Sequence, residues 1–343
     1  MSALFRLLQQ KHNPPQPTTA SFAGKTVLVT GATGGLGLEA AKKLAALNAD
    51  RLVITARNDA KGQAAKQEIL ASVPQLTSTK TASTTEIVVL TLDMSSAAGI
   101  KSFVKELKTR ISHLDAAILN AGTVQVKHVE SRDGFEEDLQ VNAISTILLG
   151  LLILPLLLAS SNKSPHLNFI SSGNATKVTP EAMQQYMKDP QPLRSMSKAS
   201  NFPGPGKAYG QSKLVLEHGM RHMARLPFVT NADGSPKVII NSTCPGMCKS
   251  DIGRQYLTNP LIRIFAWLAF TIFARTATHG ANSYISALTR DADGNGKLWK
   301  DDKYYDGGEM IESEVGKKFG DIVWKEMIEV LEDVDPEVRQ IVQ

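Results

Sequence analysis

A glycine-rich turn between a strand-like segment and a helix-like segment constrains the fold of this 343-residue chain more than any other feature. Lys25–Thr30 (KTVLVT) is a short β-branched run, which is typical of a buried parallel strand. The turn Gly31–Gly37 (GATGGLG) follows, and Leu38–Leu47 then has the spacing of an amphipathic helix. Glycines here permit a tight turn and let the backbone approach a pyrophosphate, whose charge rests at the helix N-terminus. The order predicts a dinucleotide-binding unit; an ordinary glycine-rich turn is the alternative.

Further strand-like segments alternate with helical patterns along the chain. They are Arg51–Thr55, Ile87–Leu92, Ala116–Leu119, Leu167–Ile170 and Val238–Ser242. This alternation predicts an α/β Rossmann fold, in which helices cover both faces of a doubly wound, mostly parallel sheet. With 42% hydrophobic residues, the chain can bury the core of a single large domain. We expect an N-terminal arm (1–21), one catalytic domain (22–343) and a helical substrate side from about residue 251.

The second strand is followed by an arginine where many nucleotide-binding domains carry an acid. An NAD site usually places Asp or Glu about 20 residues past the glycines, to hold the ribose 2′-hydroxyl. Here the segment reads Thr55-Ala-Arg57-Asn58 and contains no carboxylate. The guanidinium of Arg57 suits a 2′-phosphate through charge-assisted hydrogen bonds. We therefore expect NADP(H) as cofactor; the alternative is a solvated loop arginine.

Tyr209 and Lys213 lie four residues apart in the segment YGQSK. Positions i and i+4 share one face of a helix, so the ammonium of Lys213 is expected near the Tyr209 phenol. A free tyrosine has a pKa near 10 and exchanges its proton poorly around neutral pH. A neighbouring cation favours the phenolate, so we expect Lys213 to lower the pKa of Tyr209. Exposed residues on a helix surface are the alternative.

More motifs follow the same order along the chain. They are Asp93 after the third strand, Asn120-Ala-Gly122, Asn142 in an apolar helix, Ser172 after the fifth strand, and Pro245-Gly246-Met247 with Ser250 beyond them. With the glycine turn and the Tyr209/Lys213 pair, these residues resemble the short-chain dehydrogenase/reductase family over roughly residues 22–290. A serine, Ser250, stands where that family has threonine. The Pro-rich N-terminal arm and the C-terminal tail with Trp324 resemble fungal and retinol-dehydrogenase-like members.

The resemblance implies a role for each motif. Tyr209 would be the acid in ketone reduction and the base in alcohol oxidation, and Lys213 would lower its pKa and hold the nicotinamide ribose. Ser172 would hydrogen-bond the substrate oxygen, with Ser171 as its competitor for that role. Asn142 would hold a water in the proton path, or only satisfy backbone groups within its own helix. The implied cofactor contacts are Gly31, Thr33, Gly35, Leu36, Gly37, Arg57, Asp93, Asn120, Gly122, Tyr209, Lys213, Pro245, Gly246, Met247 and Ser250.

The connection between Ser172 and Tyr209 has 36 residues, more than is typical of the family. Its segment Gly173–Gly206 reads as a loop and carries five prolines, three methionines and Tyr186. Long connections in compact domains are often functional lids. With the apolar stretch Leu261–Ala274, it predicts a cleft for a bulky apolar or aromatic ketone. A surface insertion without ligand contact is the alternative.

Together these features predict an NADPH-dependent carbonyl reductase or alcohol dehydrogenase that acts on a bulky, polyketide-like ketone of secondary metabolism. Two alternatives stay open. One is an enzyme that oxidises a lipid-like alcohol, such as a retinoid or sterol. The other is an NADP-sensing scaffold without turnover, although such a scaffold has no need of Ser172, Tyr209 and Lys213 together.

Composition argues against several other functions. The net charge of +5 is dispersed, without the basic runs of a nucleic-acid-binding protein. Cys244 and Cys248 have no second pair to complete a zinc site, and we expect buried thiols in a reducing compartment. His218 and His222 have metal-ligand spacing but no third ligand. The segment 291–302 is similar to an EF-hand loop, although a hydrogen-bonded turn is favoured. We expect no metal.

Two apolar stretches bear on membrane contact. Val141–Ala159 approaches spanning length, but it contains Asn142 and Pro155 and lies between strands, so a core helix packed against the sheet or a partner subunit is favoured. Leu261–Ala274 is too short to span; it lines a substrate mouth or rests on a bilayer surface. Met1–Pro17 does not resemble a secretory signal. We expect a cytoplasmic protein, with peripheral membrane contact and homo-oligomerisation both compatible with the sequence.

Overall fold

The computed structural model describes residues 3–73, 85–249, 252–253 and 268–343. Within these residues, one mostly parallel sheet organises the chain. Its strands are β1 Thr26–Val29, β2 Arg51–Ala56, β3 Glu86–Thr91, β4 Ala116–Leu119, β5 His166–Ile170, β6 Ile239–Thr243, β7 Leu298–Lys300 and β8 Lys303–Tyr305. Their order across the sheet is β3-β2-β1-β4-β5-β6-β7-β8, and only β8 runs antiparallel to its neighbour.

Helices cover both faces of this sheet. They are α1 Ala3–His12, α2 Gly35–Ala46, α3 Asp59–Ser72, α4 Ala97–Arg110, α5 Glu137–Leu139, α6 Ser145–Leu158, α7 Pro180–Met187, α8 Pro192–Met196, α9 Pro205–Met223, α10 Ala277–Ala287, α11 Glu309–Glu312, α12 Glu314–Val334 and α13 Pro336–Val342. A π-helical turn, Gln140–Ile144, joins α5 to α6. The fold is the doubly wound Rossmann type that the alternation of strands and helices predicted.

The register of the strands divides the core into two layers. Val27 and Val29 of β1 belong to a hydrophobic cluster with α2, α3 and α10, whereas Leu28 between them belongs to the cluster with α4, α6 and α9. Successive side chains of a strand point to opposite faces, and both faces here are covered. Every residue of β1 is therefore buried, as its continuous apolar run predicted.

The long helix through Asn142 lies inside the protein. Residues Glu137–Leu158 are long and apolar enough to cross a membrane, yet 89% of the most apolar window is buried within the protein. The helix packs against α4, α9 and the sheet. This is the environment of a core helix, which was the favoured interpretation of the sequence.

The connection 173–206 is not a loop, and that part of the sequence interpretation is wrong. It contains α7 and α8, and Met183, Tyr186 and Leu193 on these helices are at most 1% exposed. Both helices contact α12 near the C-terminus. Pro180, Pro192 and Pro205 occupy the first turns of α7, α8 and α9. Proline is favoured there because its missing N–H would have no helical partner.

The sequence also gave no indication of the terminal hairpin β7–β8. Its two-residue turn consists of Asp301 and Asp302, which have φ angles of 51° and 57°. Such turns usually contain Asn-Gly or Asp-Gly, because glycine tolerates positive φ. Two aspartates in succession therefore did not signal a hairpin.

Candidate active site

The predicted cofactor residues converge at the carboxyl edge of the parallel strands. Gly31, Arg57, Asp93, Asn120, Ser172 and Pro245 follow the ends of β1, β2, β3, β4, β5 and β6, respectively. The chain reverses its direction of winding between β1 and β4. Ligands of open α/β sheets bind at such a switch point, so the fold brings these residues to one place.

The glycine turn is shaped by close backbone contacts. Gly31 and Gly35 have φ angles of +65° and +54°, a region that favours glycine. A Cβ atom on Gly37 would lie 2.5 Å from the carbonyl oxygen of Gly31, so helix α2 begins directly against the end of β1. The Asn120 side-chain amide donates to the carbonyl oxygens of Thr30 and Gly31 at 2.9 and 3.2 Å. Asn120 therefore fixes the turn itself.

The N-terminus of α2 suits an anionic group. Asn58 and Ser96 cap the N-termini of α3 and α4 with their side chains, whereas Gly34 at the start of α2 offers no side-chain cap. Uncapped N–H groups and the helix dipole favour a phosphate. Thr33 is exposed in this turn, and Leu36 is half-buried. These residues fit the pyrophosphate of a dinucleotide.

The part of the site predicted to hold the adenosine half of a dinucleotide has one cation and one anion. Arg57 is exposed immediately after β2. At Asp93, burial favours the neutral acid, but hydrogen bonds from Ser95 and the charges of Arg132 and Arg57 outweigh it and lower the pKa of the carboxyl group. Asp93 is thus an ionised hydrogen-bond acceptor beside the Arg57 guanidinium.

Lys213 is buried at the centre of the site. Its ammonium donates to the carbonyl oxygen of Ile170, the last residue of β5, at 2.8 Å. Burial lowers the pKa of Lys213 to about 8, although the carboxyl groups of Glu217 and Asp138 favour its charged form. A Cβ atom on Gly122 would lie 3.8 Å from the Lys213 nitrogen, so the Asn120–Gly122 segment borders the ammonium.

Tyr209 and Ser172 form the second half of this centre. The Ser172 side chain lies close enough to the Tyr209 phenol to lower its pKa, whereas Ser171 has that effect on the buried carboxyl group of Glu217. Of the two serines, Ser172 is the one that meets the phenol. The Lys213 ammonium lies 5.9 Å from the centroid of the Tyr209 ring. The structure thus brings Ser172, Tyr209 and Lys213 together.

The predicted direction of the Tyr209 pKa shift is wrong. Burial raises the pKa of the Tyr209 phenol to about 12, and the nearby Ser172 side chain opposes this only in part. Burial disfavours the charged phenolate more than the neighbouring groups stabilise it. The ammonium of Lys213 does not offset this, because it is directed at the Ile170 carbonyl oxygen. The protein's own groups therefore keep the phenol protonated at neutral pH.

Asn142 lies in the π-helical turn and has structural partners. Its side-chain oxygen accepts from the Thr123 N–H at 2.9 Å, and its amide donates to the Thr123 carbonyl and the Ser212 hydroxyl at 2.9 and 3.0 Å. These bonds attach the loop after β4 to α9. These partners lie outside the helix of Asn142, so the expected alternative, bonds to backbone groups within its own helix, is not what the structure shows. The water in the proton path stays a prediction. π-turns are frequent at functional sites because they interrupt the regular helix ladder.

The turn after β6 completes the site. Pro245 is buried, Gly246 has a φ of +78°, and Met247 is half-buried. The Gly173 N–H donates to the Cys244 sulfur at 3.1 Å, which connects this turn to the segment after Ser172. Ser250, the last predicted cofactor residue, lies outside the described residues, as do residues 261–267 of the predicted substrate-side stretch.

Two buried acids near Lys213 were not among the predicted site residues. Asp138 and Glu217 are fully buried, and burial raises the pKa of both, that of Asp138 to about 8. Glu217 follows Lys213 by four residues on α9, so its spacing was a usable signal. Asp138 precedes Asn142 by four residues, but the π-turn breaks the helical register between them.

The side chains considered as metal ligands have other partners. His222 stacks on Trp324 at 5.3 Å, and His218 packs edge-on against Phe319 at 5.8 Å. Asp293 accepts from the Tyr304 hydroxyl, and Asp302 accepts from the Gln16 N–H. In the part of the chain that the structure describes, no cluster of three or more His, Cys, Asp or Glu side chains could hold a metal ion.

Known proteins resemble this chain over nearly its whole length. The family model for short chain dehydrogenase matches residues 25–187. The chain is 36% identical over 334 residues to the short-chain dehydrogenase/reductase ffsI of Aspergillus flavipes, covering 96% of this chain and 92% of that protein. It is also 36% identical over 340 residues to phmF of Phaeosphaeria nodorum, which bears the same description, covering 98% and 95%.

Solved structures share the fold at lower identity. An uncharacterised protein of Mycobacterium paratuberculosis aligns with a TM-score of 0.61 at 20% identity, covering 91% of this chain and 95% of that one. The RhlG/NADP active-site complex of Pseudomonas aeruginosa aligns with a TM-score of 0.59 at 22% identity, covering 85% and 98%. At these identities the likeness concerns the fold alone.

Proposed function

Because this chain belongs to the short-chain dehydrogenase/reductase family of oxidoreductases, we propose that it is an NADPH-dependent carbonyl reductase. The observation that carries the proposal is the meeting of Ser172, Tyr209 and Lys213 beside the switch point of the sheet. The glycine turn, the uncapped start of α2 and the Asn120–Gly122 segment form a continuous seat for a dinucleotide next to them. A bound nicotinamide cofactor would supply the hydride, while the protein supplies position and protons.

Tyr209 is the proposed proton donor. A phenol with a pKa raised to about 12 stays protonated at neutral pH, which is the form that gives a proton to a reduced carbonyl oxygen. Ser172, whose side chain lies beside this phenol, is proposed to share the same substrate oxygen. Donors aimed at the position where negative charge develops contribute most in the transition state.

Lys213 is the proposed support for the cofactor ribose and the proton path. An ammonium has three N–H donors, and one of them is directed at the Ile170 carbonyl oxygen. The other two are proposed to hold ribose hydroxyls near Gly122. With a pKa lowered to about 8, Lys213 remains mostly charged at pH 7 but exchanges protons far more readily than an ordinary lysine.

Arg57 is the proposed determinant of NADPH preference. Its exposed guanidinium stands at the end of β2, where a 2′-phosphate of bound NADP would lie. Thr55–Asn58 contains no Asp or Glu that could bind the free ribose 2′-hydroxyl of NAD. The RhlG structure, which shares the fold, was solved as an NADP complex.

The proposed substrate is a bulky apolar or aromatic ketone. Met196, Phe202 and Pro203, from the connection 173–206, line a small cleft with Ala208 and Gln211 of α9, the helix that carries Tyr209. Methionine and aromatic side chains suit irregular apolar ligands. The relatives ffsI and phmF come from fungi, and we extend the proposal to polyketide-like ketones of secondary metabolism.

Oxidation of a lipid-like alcohol is the second candidate. Leu268 and Ile272, in the described part of the apolar stretch 261–274, are 43% and 49% exposed. This surface suits either a lipid-like substrate or peripheral contact of a cytoplasmic enzyme with a membrane. The protonated state of Tyr209 favours reduction over this candidate.

The experiment is a cofactor and substrate screen with the purified protein. NADPH or NADH is mixed with a panel of aromatic, polyketide-like and small aliphatic ketones, and turnover is followed at the nicotinamide absorbance. We expect turnover with NADPH and bulky ketones, and at least about tenfold higher kcat/KM with NADPH than with NADH.

Arg57→Ala provides the matched test of cofactor preference. The variant should lose most of the NADPH preference while its kcat/KM with NADH stays within about twofold, because only the 2′-phosphate contact is removed. Absence of NADPH binding, or an unchanged preference in Arg57→Ala, would contradict the proposal.

A further inference from the structure

The N-terminal helix α1 reaches the turn that follows β6. The side-chain oxygen of Gln10 lies 3.4 Å from the Met247 N–H nitrogen. A Cβ atom on Gly246 would lie 2.9 Å from that same oxygen, and Gly246 has a φ of +78°. The positive φ favours glycine at this position, and a side chain there would displace the Gln10 amide from the turn.

Arg275 connects the arm to the same turn. Its side chain is 1% exposed, and its guanidinium donates to the carbonyl oxygens of Gln10 at 2.7 Å, Asn13 at 3.0 Å and Pro245 at 3.2 Å. Its backbone N–H donates to the Met247 carbonyl at 2.8 Å. One buried cation thus holds both the end of α1 and the Pro245–Met247 turn.

The turn of the hairpin β7–β8 also contacts Arg275 and the N-terminal arm. Asp301 forms an ion pair with Arg275 at 2.6 Å and accepts a hydrogen bond from the Gln10 amide at 3.1 Å. The neighbouring Asp302 accepts from the Gln16 N–H at 2.8 Å. Both aspartates of the turn therefore bind the N-terminal arm, which accounts for the chain holding them at positive φ.

These contacts select one conformation of a flexible turn. A glycine at positive φ has more accessible backbone states than any other residue, so the Pro245–Met247 segment is not fixed by its own sequence. Buried charges need all their partners, because an unpaired one carries the full cost of desolvation. Gln10 is the side chain of the arm that contacts both the turn and Asp301.

We propose that Gln10 is a positioning residue for the nicotinamide end of the cofactor, acting through the Pro245–Met247 turn together with Arg275 and Asp301. The inference rests on the proposed function. The turn follows β6, and Cys244 beside it accepts a hydrogen bond from Gly173 next to Ser172, so the turn lies on the reacting half of the proposed cofactor site. This role of Gln10 makes the N-terminal arm part of the catalytic unit. Gln10 touches neither the glycine turn nor Arg57, so its effect is confined to the nicotinamide half of the ligand.

The first test compares two ligands in the variant Gln10→Ala. NADPH carries both halves of the cofactor, whereas adenosine 2′,5′-bisphosphate carries only the adenosine half. Loss of the two Gln10 side-chain hydrogen bonds should weaken NADPH binding about five- to tenfold and raise the KM for NADPH similarly. Binding of the bisphosphate should stay within about twofold. Gln9→Ala, an exposed neighbour on the same helix, is the control and should leave both ligands unchanged.

The second test needs no ligand. Hydrogen exchange of the peptide spanning residues 245–249 is measured in the free protein. Exchange should be faster in Gln10→Ala than in the wild type, while Gln9→Ala should match the wild type. Unchanged exchange in Gln10→Ala, or equal weakening of NADPH and the bisphosphate, would overturn the inference. Failure of the wild-type protein to bind NADPH would refute the proposed function, and the exchange result would still decide the role of Gln10.

Discussion

At Gly37, the absence of a side chain permits α2 to begin against the end of β1. A Cβ atom there would lie 2.5 Å from both the Gly31 carbonyl oxygen and the Asn120 amide nitrogen. The sequence predicted this glycine as one that lets the backbone approach a ligand. The structure adds a more local reason, because Gly31 and Asn120, two of the predicted cofactor residues, pack directly against Gly37.

Gly37→Ala should therefore damage both stability and cofactor binding. The backbone oxygen cannot move aside as a flexible side chain would, so we expect about 1–3 kcal/mol lower free energy of unfolding and at least about tenfold weaker NADPH binding. Gly206→Ala is the control, because a Cβ atom there would meet nothing within 4 Å. Chemical denaturation and NADPH titration measure the two effects. A Gly37→Ala variant that behaves like Gly206→Ala would contradict this account.

The Tyr209/Lys213 pair shows what residue spacing predicts and what it does not. The i, i+4 spacing predicted a shared helix face, and both side chains do face the end of β5. The pKa direction of Tyr209 was wrong because desolvation depends on the whole surrounding fold. Asp138, whose carboxyl group favours the charged form of Lys213, becomes its neighbour only after folding, whereas Glu217 lies one turn away on the same helix.

Lys213 should set the alkaline limit of ketone reduction. Its pKa is lowered to about 8 from an ordinary value of 10.5, whereas Tyr209 stays protonated to about pH 12. We expect kcat/KM to be level below pH 8 and to fall as pH rises above it, by up to about tenfold per pH unit. Asp138→Asn removes a carboxyl group that favours the charged lysine, so the fall should begin at lower pH. A profile that stays level to pH 10 would refute this assignment.

The same shift has a consequence for stability. Between about pH 8 and 10.5 the unfolded chain keeps a proton on Lys213 that the folded protein has released. The unfolded state therefore binds more protons in this window, and the contribution of Lys213 to the free energy of unfolding increases with pH. The buried ammonium lowers stability below pH 8 and ceases to do so above 10.5.

At the scale of elements, the connection 173–206 is attached to the C-terminal helix. The Glu326 carboxylate of α12 is 2% exposed and accepts from the N–H groups of Leu193 and Arg194 at 2.6 and 3.0 Å. It thus caps the short helix α8 from outside. The sequence predicted that this segment lies beside the site. Its five prolines led to the prediction of a loop, and no local pattern indicated contact with a helix more than 100 residues away.

Glu326→Ala should loosen α8 and alter substrate selection without affecting the cofactor. Two buried N–H groups would lose their acceptor, which predicts about 1–3 kcal/mol lower free energy of unfolding. Met196 is in α8 and lines the small cleft proposed for the substrate, so relative kcat/KM values across a ketone panel should change. Glu329→Ala, exposed on the same helix, is the control. The link between α8 and substrate selection fails if ketone preferences are identical in Glu326→Ala and Glu329→Ala.

For the whole molecule, the sequence predicted the sheet and its functional edge from the alternation of apolar runs. Six of the eight strands in the described part of the chain, and the residues at their carboxyl ends, follow from that pattern. The hairpin β7–β8 and the seating of α1 do not, because they depend on Arg275 meeting Asp301 and on backbone carbonyls from three separate segments. Contacts of this kind carry no periodic signal.

The sheet also separates the proposed cofactor-binding residues from the proposed catalytic residues. Gly31, Arg57 and Asp93 follow strands β1–β3, whereas Ser172 follows β5 and Tyr209 lies on α9. A change to the phenol alone should therefore leave most of the cofactor contacts unaltered. Binding and turnover are expected to be independent at this position.

The most direct test is Tyr209→Phe, in which NADPH binding and ketone turnover are measured on the same preparation. The account predicts that kcat falls at least about 100-fold, because the proton donor is gone, while NADPH affinity and the rise in melting temperature with NADPH match the wild type. A Tyr209→Phe enzyme that still reduces its ketone at a rate near that of the wild type would contradict the central claim.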